Sequence, residues 1–171
     1  GLRNRPKRRL VMNRKDVANI LYTIKDPEIP TLSIVDLGIV TDIQVQKNRV
    51  DVVLTPTFSG CPALKVMEEM VEEKLLKQDE IDQVNVNTRF DHQWTSDMIS
   101  EQGKKDIKKI GLAPPKKSCG GITWDFIEEV DCPKCGSPQT VLKNPFGPTL
   151  CRSIHHCENC LETFEAIKTV H

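Results

Sequence analysis

The sequence predicts an α+β fold: a small domain with a mixed sheet of three or more strands and flanking helices, followed by a compact four-cysteine ribbon. Three observations carry this. Runs with apolar residues at every second position alternate with runs at helical spacing. A break rich in proline and glycine, Ala113-Pro114-Pro115-Lys116-Lys117-Ser118-Cys119-Gly120-Gly121, divides the 171-residue chain. Beyond it lie two C-x2-C pairs, Cys132/Cys135 and Cys157/Cys160. The expected divisions are a frayed basic arm over 1–13, an α+β domain over 14–113, a linker over 114–129 and the ribbon module over 130–171.

Residues 16–24 carry Val17, Ile20, Leu21 and Ile24 at helical spacing. Asp26-Pro27-Glu28-Ile29-Pro30 ends that helix, because each proline pushes its predecessor toward extended backbone. Ile39, Thr41, Ile43 and Val45 alternate, as do Val50, Val52 and Leu54, with Lys47-Asn48-Arg49 between them as a hairpin turn. Residues 63–77 return to helical spacing through Leu64, Met67, Val71 and Leu75. Val84, Val86, Thr88 and Phe90 alternate as a third strand, and residues 96–110 read as one polar helix stopped by Gly111. Met67 and Met70 are read as core rather than as a soft-metal pair.

Lysine plus arginine number 24, as do aspartate plus glutamate, so the net charge is zero and a generic nucleic-acid binder is disfavoured. The balance hides a gradient. Residues 1–15 hold seven bases and no acid, whereas residues 16–113 hold 11 bases and 17 acids. No 18-residue apolar run is present, so no membrane span is expected. Seven cysteines without an export-type leader point to metal or thiol chemistry in a reducing, cytoplasmic compartment, not to a disulfide framework.

The cysteine pairs are the strongest signal. A C-x2-C turn presents two sulfurs to one ion, and two such turns complete a tetrahedral thiolate set. Cys132, Cys135, Cys157 and Cys160 are thus the expected ligands of a zinc ribbon, with iron as the rival ion. A module of some 40 residues has too little core of its own, so the metal supplies much of its folding free energy. Cys151, His155 and His156 lie nearby, where one could displace a ligand or form a second site, although such His residues are most often ordinary strand positions, and Cys119 reads as incidental.

The second signal is Thr55-Pro56-Thr57-Phe58-Ser59-Gly60-Cys61-Pro62. A strand ends, a loop turns and Pro62 opens a helix, where its missing N–H does no harm. Cys61 then sits beside the helix start, where unpaired N–H groups and the dipole favour thiolate. It reads as a nucleophile, a redox thiol, a transient metal ligand or a small buried side chain. His92 lacks an acid relay, which weakens a Cys/His hydrolase, and no Gly-rich phosphate loop exists. Asp26, Glu28 and Asp36 are either oxygen ligands or turn caps.

Residues 26–38, Thr55 to Pro62 and Trp94 resemble the small α+β domain of iron–sulfur assembly factors. Pro56-Thr57-Phe58-Ser59-Gly60-Cys61-Pro62-Ala63, Gly111-Leu112-Ala113-Pro114-Pro115 and the four-cysteine module, in this order, resemble the PaaD family of phenylacetic acid degradation proteins over residues 14–168. The resemblance implies an accessory maturation factor with no catalysis of its own. It would assist iron or iron–sulfur insertion into the bacterial phenylacetyl-CoA epoxidase system, with that system's oxygenase and reductase components as partners. The alternative is a scaffold bridging those components through the ribbon, and a homodimer stays open. The resemblance also implies that Cys61 is the functional thiol, holding iron or a cluster transiently, with Asp26, Glu28 and Thr55 around it.

Overall fold

A computed structural model describes residues 11–57, 61–116 and 130–168. Most of the basic arm, most of the linker with Cys119, and Phe58, Ser59 and Gly60 of the loop before Cys61 lie outside the described residues. The chain runs α1 (Arg14–Tyr22), β1 (Val40–Gln46), β2 (Arg49–Leu54), α2 (Ala63–Leu76), β3 (Gln83–Thr88), a 3-10 turn (Ser96–Met98), α3 (Glu101–Lys109), β4 (Thr140–Asn144), β5 (Arg152–Cys157) and β6 (Thr163–Ile167). Among the described residues no helix is long and apolar enough to cross a membrane.

The first sheet is mixed, in the order β1-β2-β3. β1 and β2 form an antiparallel hairpin that turns through Lys47, whose φ is 57°, and Asn48, so Arg49 already pairs with Gln46. β2 and β3 are parallel, which forces a crossover, and α2 supplies it. α2 buries Ala63, Met67, Val71 and Leu75, one face at a four-residue repeat. These side chains join Val17 and Leu21 of α1 and the inward residues of β2, Val50, Val52 and Leu54, in one core.

Three elements differ from the pattern in the sequence. α1 starts at Arg14 rather than residue 16, because Asn13 and Asp16 form a reciprocal capping box. It stops at Tyr22, and Ile24 enters the core from the turn that follows. β3 ends at Thr88 and leaves Phe90 62% exposed, since β2 stops at Leu54 and offers nothing further to pair. The single helix over 96–110 is two pieces. The Ser100 N–H donates to the Asp36 carbonyl at 2.8 Å and its hydroxyl to the Asp36 carboxylate at 2.5 Å. Held there, Ser100 is extended and accepts from the Gly103 N–H to start α3 anew.

The second sheet is antiparallel, β4-β5-β6. Among the described residues, the following contacts seat it on the first module. Ala113 donates to the Glu165 carbonyl at 2.9 Å and accepts from the Ile167 N–H at 3.0 Å. Pro114 and Pro115 have no N–H, so this pairing cannot extend. Ile167 enters the first core. The Arg152 guanidinium donates to the Glu28 carbonyl at 2.8 Å and to the Glu165 carboxylate at 2.9 Å. The start of the expected linker is therefore packed, with Ala113 and Pro115 buried.

Gly38 has φ +78°, and a Cβ there would stand 2.5 Å from the Met98 carbonyl oxygen. Gly111 has φ +82° with open space around it. Gly38→Ala is expected to destabilise the chain by about 2–4 kcal/mol, left-handed strain plus overpacking, and Gly111→Ala by only about 1–2 kcal/mol. Urea unfolding midpoints compare the two, and equal losses would contradict the close approach at Gly38.

Candidate functional site

The ribbon's two cysteine turns are built alike. In the first, the Cys132 N–H donates to the Ser137 carbonyl at 2.9 Å and the Cys132 carbonyl accepts from Gly136 at 2.8 Å. In the second, the Cys157 N–H donates to the Glu162 carbonyl at 2.8 Å and the Cys157 carbonyl accepts from Leu161 at 2.9 Å. Both turns need left-handed backbone four residues after their first cysteine: Gly136 has φ 74° and Leu161 has φ 61°. Glycine takes that conformation without penalty, whereas leucine is strained there.

These turns bring Cys132, Cys135, Cys157 and Cys160 together, with all four sulfurs within 4.8 Å of one another. Cys132 and Cys160 are 3.6 Å apart, as are Cys135 and Cys157. None of the six described cysteines is in a disulfide. Four sulfurs at about 2.3 Å from one tetrahedral ion would stand about 3.8 Å apart, so the set fits a metal. The Ser137 N–H and then the Asn159 amide pull Cys135 down to about 6. Cys160 is pushed up to about 12, its Glu162 N–H outweighed by burial and by the neighbouring sulfurs. Four thiolates this close require a cation between them. Zinc and iron both suit this donor set. His155 does not compete for the ion. It is wholly buried, stacks on Phe164 with ring centroids 5.7 Å apart, and burial lowers it to about 4.

Cys61 lies at a different place. α2 begins at Ala63 with Pro62 as its cap, and Cys61 precedes both. It opens on a cleft of about 280 Å³ between the modules, walled by Glu28, Thr57 and Cys61 on one side and by Phe146 to Cys151 on the other. At its base Asp26, Met67 and Trp94 line a narrow recess. Trp94 is fixed there by its indole N–H, which donates to the Leu37 carbonyl at 2.9 Å.

The electrostatics reverse the expectation that the helix start favours thiolate. Burial pushes the Cys61 thiol up. The Ala63 and Leu64 N–H groups oppose that, but the Glu28 and Asp26 carboxylates reinforce it. Cys61 is therefore a neutral thiol at pH 7, in surroundings that favour an incoming cation.

Asp26, Glu28 and Cys61 are brought together and Thr55 is not. Both Glu28 and Ile29 donate their N–H to one Asp26 oxygen at 2.8 Å. Asp26 thus holds the turn that presents Glu28, and burial raises its carboxyl against those two bonds and Arg152. Thr55 is buried, pairs its hydroxyl with that of Thr41 at 3.0 Å, and is not among the cleft's lining residues. Cys151, a candidate ligand of the ribbon's ion, is outside the four-sulfur set. It lines the Cys61 cleft instead, with its sulfur 3.8 Å from a Glu28 carboxylate oxygen. Only its position in the chain hinted at the ribbon, and no local pattern in the sequence signals this long-range contact.

Residues 125–168 match the model of the PaaD zinc beta ribbon domain, and residues 14–88 match that of an iron-sulfur cluster assembly protein. The chain is 33% identical over 152 residues to an Escherichia coli (strain K12) protein provisionally named as one of the subunits of 1,2-phenylacetyl-CoA epoxidase, covering 88% of this chain and 90% of that one. It is 30% identical over 98 residues to the Fe-S protein maturation auxiliary factor of Porphyromonas gingivalis (strain ATCC BAA-308 / W83), covering 57% of this chain and 92% of that one. The crystal structure of a Bacillus anthracis domain of unknown function, DUF59, superposes with a TM-score of 0.52 at 25% identity over 54% of this chain and 89% of that one.

The acid-lined cleft makes a direct forecast for thiol chemistry. The alkylation rate of Cys61, followed peptide by peptide against pH, is expected to rise with a midpoint above the ordinary 9.0, and Glu28→Gln is expected to lower that midpoint. A midpoint below 9.0 in the unaltered chain would contradict the assignment of a neutral thiol.

Proposed function

The chain belongs to the PaaD family, and from that premise we propose that it is an accessory maturation factor of bacterial aerobic phenylacetate degradation. In this reading it assists iron or iron–sulfur insertion into the epoxidase system and performs no epoxidation itself. Cys61 carries the proposal. It is a half-buried thiol in an acid-lined cleft, within a domain of the iron–sulfur assembly type.

Ferrous iron is the cargo. A cation entering the cleft lowers the repulsion among the Glu28 and Asp26 carboxylates and displaces the Cys61 proton. One thiolate in an open cleft holds iron weakly enough to release it, whereas the four-sulfur set is closed and permanent. The ribbon's ion belongs to the fold: Cys132, Cys135, Cys157 and Cys160 would hold it, and it would supply folding free energy to β4, β5 and β6. The oxygenase and reductase components of the epoxidase system are the acceptors.

A scaffold role is the second reading, favoured by Phe146 and Leu150, which stand 68% and 60% exposed on the ribbon's loop at the cleft mouth. The two readings separate on one substitution. Co-expression of the epoxidase components with the Cys61→Ala form is expected to leave the oxygenase or reductase short of iron, with activity reduced in proportion. Full iron content and full activity would reject delivery through Cys61 and leave the scaffold.

A further inference from the structure

The ribbon carries one cysteine more than its ion needs. With four sulfurs within 4.8 Å of one another, a tetrahedral site is complete, and Cys151 takes no part in it. Nor is Cys151 a core residue: it packs with neither apolar cluster, whereas Cys61 borders the first and Cys160 the second. Its surroundings are polar. The Thr149 hydroxyl is 3.1 Å from its sulfur and the Glu28 carboxylate 3.8 Å. Its backbone is held, because Lys168 donates its N–H to the Cys151 carbonyl at 2.9 Å. The next residue is Arg152, whose guanidinium grips the Glu28 carbonyl at 2.8 Å. Cys151 is thus fixed on the ribbon wall of the cleft that Cys61 lines from the opposite module.

We propose that Cys61 and Cys151, with the Glu28 carboxylate, are the ligands that a divalent cation of the ferrous or zinc class draws together across the two modules, the three lining one cleft without converging on one point before it binds. This rests on the reading of Cys61 as a transient metal ligand and adds its second thiol. Two sulfurs and a carboxylate match such an intermediate ion. Each thiol releases its proton to solvent as it coordinates, and the ion keeps its charge.

The test uses the full chain, its four-cysteine site loaded with zinc, titrated anaerobically with Co²⁺. A further Co²⁺ is expected to bind with sulfur-to-cobalt charge-transfer absorption. Cys151→Ser and Cys61→Ser are each expected to weaken it by about tenfold or more without loss of zinc. The unaltered chain supplies a second readout: Co²⁺ is expected to protect both Cys61 and Cys151 from alkylation. If Cys61→Ser abolishes binding while Cys151→Ser binds as the unaltered chain does, or if Cys151 is left unprotected, the two-thiol site is overturned and the single-thiol reading stands. If no further Co²⁺ binds to the unaltered chain, both are overturned.

Discussion

The seating of the ribbon on the first sheet is the constraint from which the candidate site follows. Without it there is no cleft, since one wall comes from residues 146–151 and the other from Glu28, Thr57 and Cys61. The seating is made of few parts. Among the described residues, a pair of backbone bonds ties Ala113 to β6, Ile167 crosses into the first core, and Arg152 links Glu28 to Glu165. Arg152 acts on both sides of the boundary, so the position of Glu28 depends on β5 as well as on its own turn. That turn in turn depends on Asp26, whose single oxygen collects two N–H donors.

The two sulfur sites divide the chemistry. In the ribbon, matched turns close four sulfurs around one point and leave no open position, the arrangement of a structural ion. In the cleft, two thiols and two carboxylates line a cavity without closing on one point, since no ligand set of three or more among the described residues gathers there. Burial and like charge keep Cys61 and Cys151 protonated, each pushed above its ordinary value. An arrangement that discourages its own anions and admits a cation suits a passing cargo. An ion held by the four sulfurs would act at a distance: by holding β4, β5 and β6 together it would keep Cys151 and Arg152 in place.

Much of this was legible in the sequence, and the limits have physical causes. The gathering of the four ribbon sulfurs follows from C-x2-C spacing, because that spacing is set by the local turn and needs no knowledge of the rest of the chain. The mixed sheet follows from alternation in β1, β2 and β3, and the Met67 assignment to the core from helical period. Elements failed where a long-range partner decides the backbone. Ser100 breaks a continuous helical pattern only because Asp36, 64 residues earlier, holds both its N–H and its hydroxyl. The state of Cys61 failed for the same reason: the helix start is local and readable, while Glu28, Asp26 and the depth of the cleft are not. Cys151 and Glu28 are 123 residues apart in sequence, and nothing local marks their contact.

The dependence of the cleft on the ribbon's ion is the central claim, and site-resolved alkylation of Cys61 before and after the ion is stripped tests it most directly. Hydrogen exchange over β5 reports that the ribbon has opened. With the wall of residues 146–151 gone, Cys61 is predicted to react faster, while α2 and β1 to β3 keep their protection. An unchanged Cys61 rate in a chain whose β5 has lost protection would show that the ribbon does not build the site.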